Sequence, residues 1–210
     1  MTNQEINKNA HLARPTDWNQ NEVKYLTMEE LLMLYNFDFN KAKRTLKDSK
    51  GDALIDELGV VQTIDLEEEN KKTMVRVRDV FCFCCFTSLR YSDVANLSRS
   101  DVRSTFISIV TQKTSNSLKI ELNMFSKAIL DKYKNVHFPN DKVLPVISNV
   151  KMNLHLKDMC EIVGINESRR IICFNGNKRI KEVQKEYKFI TTHSGRLTFI
   201  SNAIFLGIPS

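Results

Sequence analysis

The sequence has no apolar run long enough to cross a membrane, no hydrophobic stretch behind its first residue and no glycine-rich loop, and it holds only six glycines, four prolines and one tryptophan in 210 residues. Each absence excludes something. A hydrocarbon core of ~30 Å needs about 20 apolar residues, and the most apolar stretch, residues 80–86, is far shorter. The start, Met1-Thr2-Asn3-Gln4-Glu5-Ile6-Asn7, lacks the apolar segment of a secretory signal. Without a glycine-rich loop there is no nucleotide-phosphate cradle of the common kinds. Five cysteines, three of them in Cys82-Phe83-Cys84-Cys85, fit a reducing compartment better than a disulfide framework. The expectation is therefore a cytoplasmic protein with no membrane partner. No internal repeat or low-complexity tract is apparent either.

What is present is ordinary in kind and basic in balance. Hydrophobic residues make up 42% and charged residues 27%, as in a soluble globular domain. A chain of this length can bury roughly 70% of its unfolded surface in one main core. The net charge of +6 leans towards an anionic partner, because clustered Lys and Arg release counterions from a nucleic-acid backbone.

Residues 1–20 are polar without apolar period and read as a flexible leader, with the domain proper over 21–210. Thr27-Met28-Glu29-Glu30 forms a capping box ahead of Leu31, Leu32 and Leu34. A second helix is expected from Asp65, with Glu68 completing another box, through to Thr87. Its second half is apolar all round, which puts it at the centre of the domain. A short helix over 92–97 precedes two strands, 105–110 and 118–122, joined at residues 113–117 as the one clear hairpin. Helices follow over 126–134 and 148–163, the latter closed by Gly164. A strand and turn are expected over 170–177, and a last helix from Thr191 or Thr192 to Gly207. The fold class is α+β, mainly helical, with a small antiparallel β-sheet.

Two segments carry candidate chemistry. His193 and Arg196 lie three apart at the start of a helix, so both project from one face of its first turn, where the amides and the dipole favour an anion. Arg90 follows an apolar helix directly, and its guanidinium suits bidentate phosphate binding. Asp93, three residues on, is placed to orient it through an ion pair. Lys113 lies at the hairpin, where a solvated turn lysine is the plain alternative. Cys82 and Cys84 point to opposite sides of a helix and are expected to be core rather than metal ligands. The basic clusters Lys41-Ala42-Lys43-Arg44 and Lys178-Arg179-Ile180-Lys181 are either backbone contacts or solvated faces.

Taken together, Thr87-Ser88-Leu89-Arg90 with Asp93, Gln112-Lys113-Thr114 and Thr192-His193-Ser194-Gly195-Arg196-Leu197-Thr198-Phe199 resemble, in order and spacing, the catalytic domain of the tyrosine recombinase (phage integrase) family. The resemblance runs over residues 27–209 and is strongest to integrases of mobile elements. Ser88 stands where the family has glycine. The resemblance implies an integrase-like fold and site-specific recombination of double-stranded DNA through a 3′-phosphotyrosyl intermediate, with no metal and no cofactor, by subunits that self-associate on DNA.

Arg90 and Arg196 would clamp the scissile phosphate and stabilise its transition state. Lys113 would protonate the departing oxygen, and His193 would assist proton transfer at the nucleophile. The family's nucleophilic tyrosine would fall after Pro209, and none of Tyr25, Tyr35, Tyr91, Tyr133 and Tyr187 lies in a matching motif. On that basis the chain is expected to be a truncated recombinase that binds but does not cleave. A non-catalytic DNA-binding regulator is the alternative, and a helical protein-interaction module the third.

Overall fold

In a computed structural model, the described residues, 17–18, 24–110, 117–175 and 178–208, form six helices and seven strands. In chain order these are β1 (Asp17–Trp18), α1 (Met28–Asn36), β2 (Lys43–Thr45), β3 (Thr63–Asp65), α2 (Glu68–Thr87), α3 (Tyr91–Asn96), β4 (Phe106–Val110), β5 (Ser117–Glu121), α4 (Met124–Tyr133), α5 (Asn149–Val163), β6 (Ser168–Asn175), β7 (Lys178–Lys185) and α6 (Thr192–Phe205). The class is α+β and mainly helical, as the sequence predicts. Most of residues 1–20, expected to be a leader, lie outside the described residues, as do 111–116 with Lys113.

Helix α2 is the axis. Every residue from Asp79 to Thr87 is buried, and α1, α3, α4, α5 and α6 all pack on it. Burying each large apolar side chain removes about 1.5–3 kcal/mol of unfavourable exposure, so Phe81, Phe83, Met74 and Val80 organise the core. The cysteines are core as expected: Cys82, Cys84, Cys85 and Cys160 are buried and unlinked. Burial pushes the thiols of Cys84 and Cys160 up to about 12.

Local signals set most helix ends. Thr27 Oγ1 accepts from the Glu30 amide at 3.2 Å, while Glu30 accepts from the Thr27 amide at 2.8 Å. Ser148 Oγ accepts from the Lys151 amide at the head of α5, and Gly164 closes that helix at φ +94°. The expected start of α2 near Asp65, with Asp65 as its cap, is off by two residues. Asp65 pairs with Lys43 across β2 and β3, and a backbone committed to that ladder cannot also open a helix. The helix starts after Glu67, which gives no side-chain cap.

Hairpin β4–β5 forms in the expected place, from Phe106 opposite Glu121 to Val110 opposite Ser117. It is one of three antiparallel sheets and not the one hairpin expected: β6 and β7 pair along their length with β1 added at the edge, and β2 pairs with β3.

Between β2 and β3 the chain makes an internal repeat that the sequence did not disclose. Asp48 Oδ1 accepts from the amides of Lys50 and Asp52 at 2.8 and 2.9 Å, and eight residues on Asp56 Oδ1 accepts from Leu58 and Val60 at 2.9 and 2.8 Å. Gly51 and Gly59 take the same left-handed place, at φ +89° and +80°. Three backbone bonds close a ring between the repeats: Leu46 to Gln62, Gln62 to Leu54 and Leu54 to Leu46, at 2.8–2.9 Å. Only the aspartate and glycine are demanded by this turn, so the surrounding residues differ and hide the period.

Candidate functional site

The segment after α2 is shaped by its own residues. Thr87 Oγ1 donates to the Phe83 carbonyl at 2.7 Å and accepts from the Leu89 amide at 3.4 Å, which stops the helix. Ser88 then turns the chain in the left-handed region, at φ 60° and ψ 9°. That conformation is easier for glycine than for any residue with a Cβ. Leu89 plugs the core, and Arg90 emerges half-buried as the N-cap of α3.

Helix α6 is held on three sides. A Cβ on Gly195 would lie 2.9 Å from Cys84 Cβ, so only glycine lets α6 approach α2 this closely. Thr198 Oγ1 accepts from the Leu26 amide at 3.0 Å, and Asn202 donates to the Leu26 carbonyl at 3.1 Å. At the head of the helix, Asn153 and Asn149 of α5 accept from the amide and hydroxyl of Thr192 at 2.8 and 2.9 Å. Sequence reasoning did not single out Asn149 or Asn153, and it named Gly195 only within the motif, without its packing role. A glycine in the interior of a helix was the one available hint.

His193 is exposed and Arg196 half-buried in the first two turns of α6. Helices α3 and α6 touch each other and both pack on α2, which brings Arg90, His193 and Arg196 into one packed unit. Among the described residues none of the three makes a side-chain hydrogen bond or an ion pair. Two of the first amides of α6 are already used, Thr192 by Asn153 and Ser194 by the Thr191 carbonyl. The side chains, more than the helix end, are therefore what an anion would meet.

The expected ion pair between Arg90 and Asp93 does not form among the described residues. Arg90 is extended at the cap and not yet helical, so the spacing of two helical neighbours does not apply to it. Asp93 is buried and sits close enough to Cys84 to add to the effect of burial in holding that thiol up. Of the other basic candidates, Arg44 is paired to Asp158 at 2.9 Å and Lys43 lies 4.0 Å from Asp65.

Three tyrosines are engaged. Tyr133 donates to Asp79 at 2.7 Å, Tyr187 to Glu161 at 2.8 Å, and Tyr91 to the Ile147 carbonyl. Burial pushes all three phenols up, and the neighbouring carboxylates push Tyr133 and Tyr187 further. Tyr35 is set edge-on against Phe86 and Phe125.

No family model matches the sequence, and no curated protein matches it either. Among solved structures the fold is similar to the crystal structure of XerA recombinase, with a TM-score of 0.50 and 15% sequence identity over 88% of this chain and 52% of that one. The chain thus spans about half the length of that neighbour, and the likeness is one of fold alone, an α+β domain. Among the described residues no helix is long and apolar enough to cross a membrane.

Proposed function

We propose that this chain is the phosphate-gripping part of a site-specific DNA recombinase of mobile-element type, acting in the cytoplasm on double-stranded DNA and self-associating there. The observation that carries the reading is that Arg90, His193 and Arg196, on mutually packed helices of a recombinase-like fold, have no side-chain hydrogen bond or ion pair among the described residues. An arginine that stays protonated and offers two parallel donors suits a phosphodiester. In this scheme Arg90 and Arg196 hold the non-bridging oxygens, and His193 serves the proton of the attacking group. Lys113, which lies outside the described residues, protonates the departing 5′-oxygen. Asp93 sets the local frame from beneath.

Cleavage through a 3′-phosphotyrosyl intermediate needs a phenol free to attack. Tyr91, Tyr133 and Tyr187 are each spent on a fixed acceptor, with the phenol pushed up. Tyr25, which is exposed, and Tyr35 lie in no matching motif, so residues 1–210 are proposed to bind DNA without cutting it. The same occupied tyrosines favour a second reading, a non-catalytic regulator that competes for recombinase sites.

The test is a suicide substrate with a nicked scissile strand, followed by anisotropy and by denaturing gel. Binding should weaken steeply with salt, with a log–log slope of about −0.9 per phosphate neutralised, and no covalent band should form. Absence of binding at low salt would overturn the recombinase reading. A covalent band would overturn the non-cleaving one.

A further inference from the structure

The repeat between β2 and β3 is a projection with an unusual surface. Its base is tied to α5, where Lys47 donates to Glu161 at 2.5 Å and Arg44 to Asp158 at 2.9 Å. Its second unit, residues 54–61, is different. Leu54, Ile55, Leu58, Val60 and Val61 are all exposed, Leu58 to 88%. The charged residues of this unit are Asp56 and Glu57, with no cation among them. Such a tip is a poor match for DNA, because carboxylates repel phosphates and apolar side chains gain nothing from a solvated backbone. Isolated exposed apolar residues need no explanation, whereas a cluster of five within eight residues has the character of an interaction surface.

The chemistry complementary to that tip is found on the same chain. Between α4, the segment before β4 and Leu122 just after β5 lies a pocket of about 340 Å³, within the range of roughly 300–1,000 Å³ that holds bound groups. Its floor is apolar, with Leu122, Leu130 and Val143. Arg103, Lys127 and Lys134 are exposed along its lining against a single carboxylate, Asp131. Arg99, also in the lining, is committed to the carbonyls of Tyr133, Lys134 and Val136 and shapes the wall by closing the end of α4. An acidic tip bearing an exposed leucine thus faces, in chemical terms, a basic pocket with a leucine-lined floor.

We infer that the tip of one copy of this chain, Leu58 flanked by Asp56 and Glu57, docks in the Leu122/Leu130/Val143 pocket of a second copy, with Glu57 against the Lys127 and Lys134 ammonium groups. The contact is head-to-tail: tip and pocket are different surfaces, so each copy has one of each to offer and chains or rings result. It is a small interface and hence a weak one in free solution, strengthened when copies are held side by side at high effective concentration. It does not depend on the DNA reading, and its test omits DNA.

The experiment is sedimentation of residues 1–210 up to about 1 mM, using two variants that leave the core untouched. Leu58→Asp disables the tip. Lys127→Glu combined with Lys134→Glu disables the pocket. Circular dichroism verifies that both are folded. The wild-type chain should associate with concentration and less at high salt, and each variant should self-associate at least ~30-fold more weakly, as loss of a central anchor does. A 1:1 mixture of the two variants should form dimers and nothing larger, because the intact tip of one fits the intact pocket of the other. A wild-type chain that stays monomeric, a Leu58→Asp chain that associates like wild type, or a mixture that stays monomeric would each overturn the inference.

Discussion

Two charged regions share the α2 frame and behave in opposite ways. In the middle of the helix, Asp79 is buried and surrounded: Arg78 Nε reaches it at 2.9 Å, Lys132 Nζ at 2.6 Å and the Tyr133 hydroxyl at 2.7 Å. Arg78 also donates to the Phe37 carbonyl at 2.8 Å, so the network ties α4 and the end of α1 to α2. Beyond the helix end, Arg90, His193 and Arg196 have no such partners among the described residues. The same residue types thus do different work, depending on whether the fold supplies the countercharge. A paired buried charge adds little net stability, yet leaving its partners orphaned costs about 3–5 kcal/mol. A half-buried arginine whose donors meet no carboxylate adds little to folding and keeps those donors for a ligand.

The broadest way to break this comparison is alkali, which reaches the buried thiols and leaves the arginines of the candidate site protonated. Burial raises the thiols of Cys84 and Cys160 from 9.0 to about 12, and raises Cys82 and Cys85 as well. Groups with raised folded values lend stability that is complete below the unfolded value and is lost as pH climbs towards the folded one. Stability should therefore hold up to about pH 9 and then fall by up to about 1.4 kcal/mol per pH unit for each thiol. Urea midpoints that stay level through pH 11 would contradict this.

Asp79→Asn tests the paired region by itself. It should cost about 3 kcal/mol, at the low end for a broken buried pair because the Lys132 side chain is 43% exposed and can turn to solvent. DNA affinity of the folded fraction should not change. A loss below about 0.5 kcal/mol, the scale of an ordinary surface substitution, would show that the network is dispensable.

Gly195→Ala links the two regions, since the new Cβ would push α6 off Cys84. Overpacking of this kind costs about 1–3 kcal/mol, and here DNA binding should weaken with stability because the first turn of α6 moves. Thermal melts and anisotropy on the same sample measure both effects. A fall in stability with affinity intact would separate α6 placement from the site.

Arg196→Ala should do the reverse. Stability should change by no more than about 0.5 kcal/mol, while the salt slope of DNA binding shrinks by about 0.9 if one phosphate contact is lost. An unchanged slope would remove Arg196 from the proposed grip. Ser88→Gly relieves a left-handed residue and should stabilise the chain by about 1 kcal/mol, with DNA binding unchanged. A destabilised variant would mean that the Ser88 side chain has a role its backbone does not reveal.

Much of the architecture was legible because its signals are local. The capping box at Thr27, the Ser148 cap, the Gly164 stop and the unbroken apolar run before Thr87 each concern residues within one or two turns, and each appears where expected. The β4–β5 strands were legible for the same reason, through alternation. The β2–β3 ladder was not, because its strands are three residues long and lie far apart in sequence, and their partners are chosen by docking against α5. The eight-residue repeat stayed hidden because its turn constrains only an aspartate and a glycine.

For the candidate site, the sequence by itself determined the residue types and their local settings: Arg90 just past a buried helix, and His193 and Arg196 on one face of the first turns of another. Tertiary structure alone decided which charges are spent. Sequence reasoning passed over Arg78 and Asp79, and it is α4, arriving with Lys132 and Tyr133, that makes them part of a buried network. Arg90 beside Asp93 reads as an ion pair, and it is the extended cap conformation and the burial of Asp93 near Cys84 that leave the guanidinium without that partner. The physical reason is that a charge is satisfied by whatever lies within a few ångströms in space, and sequence neighbours supply only part of that environment.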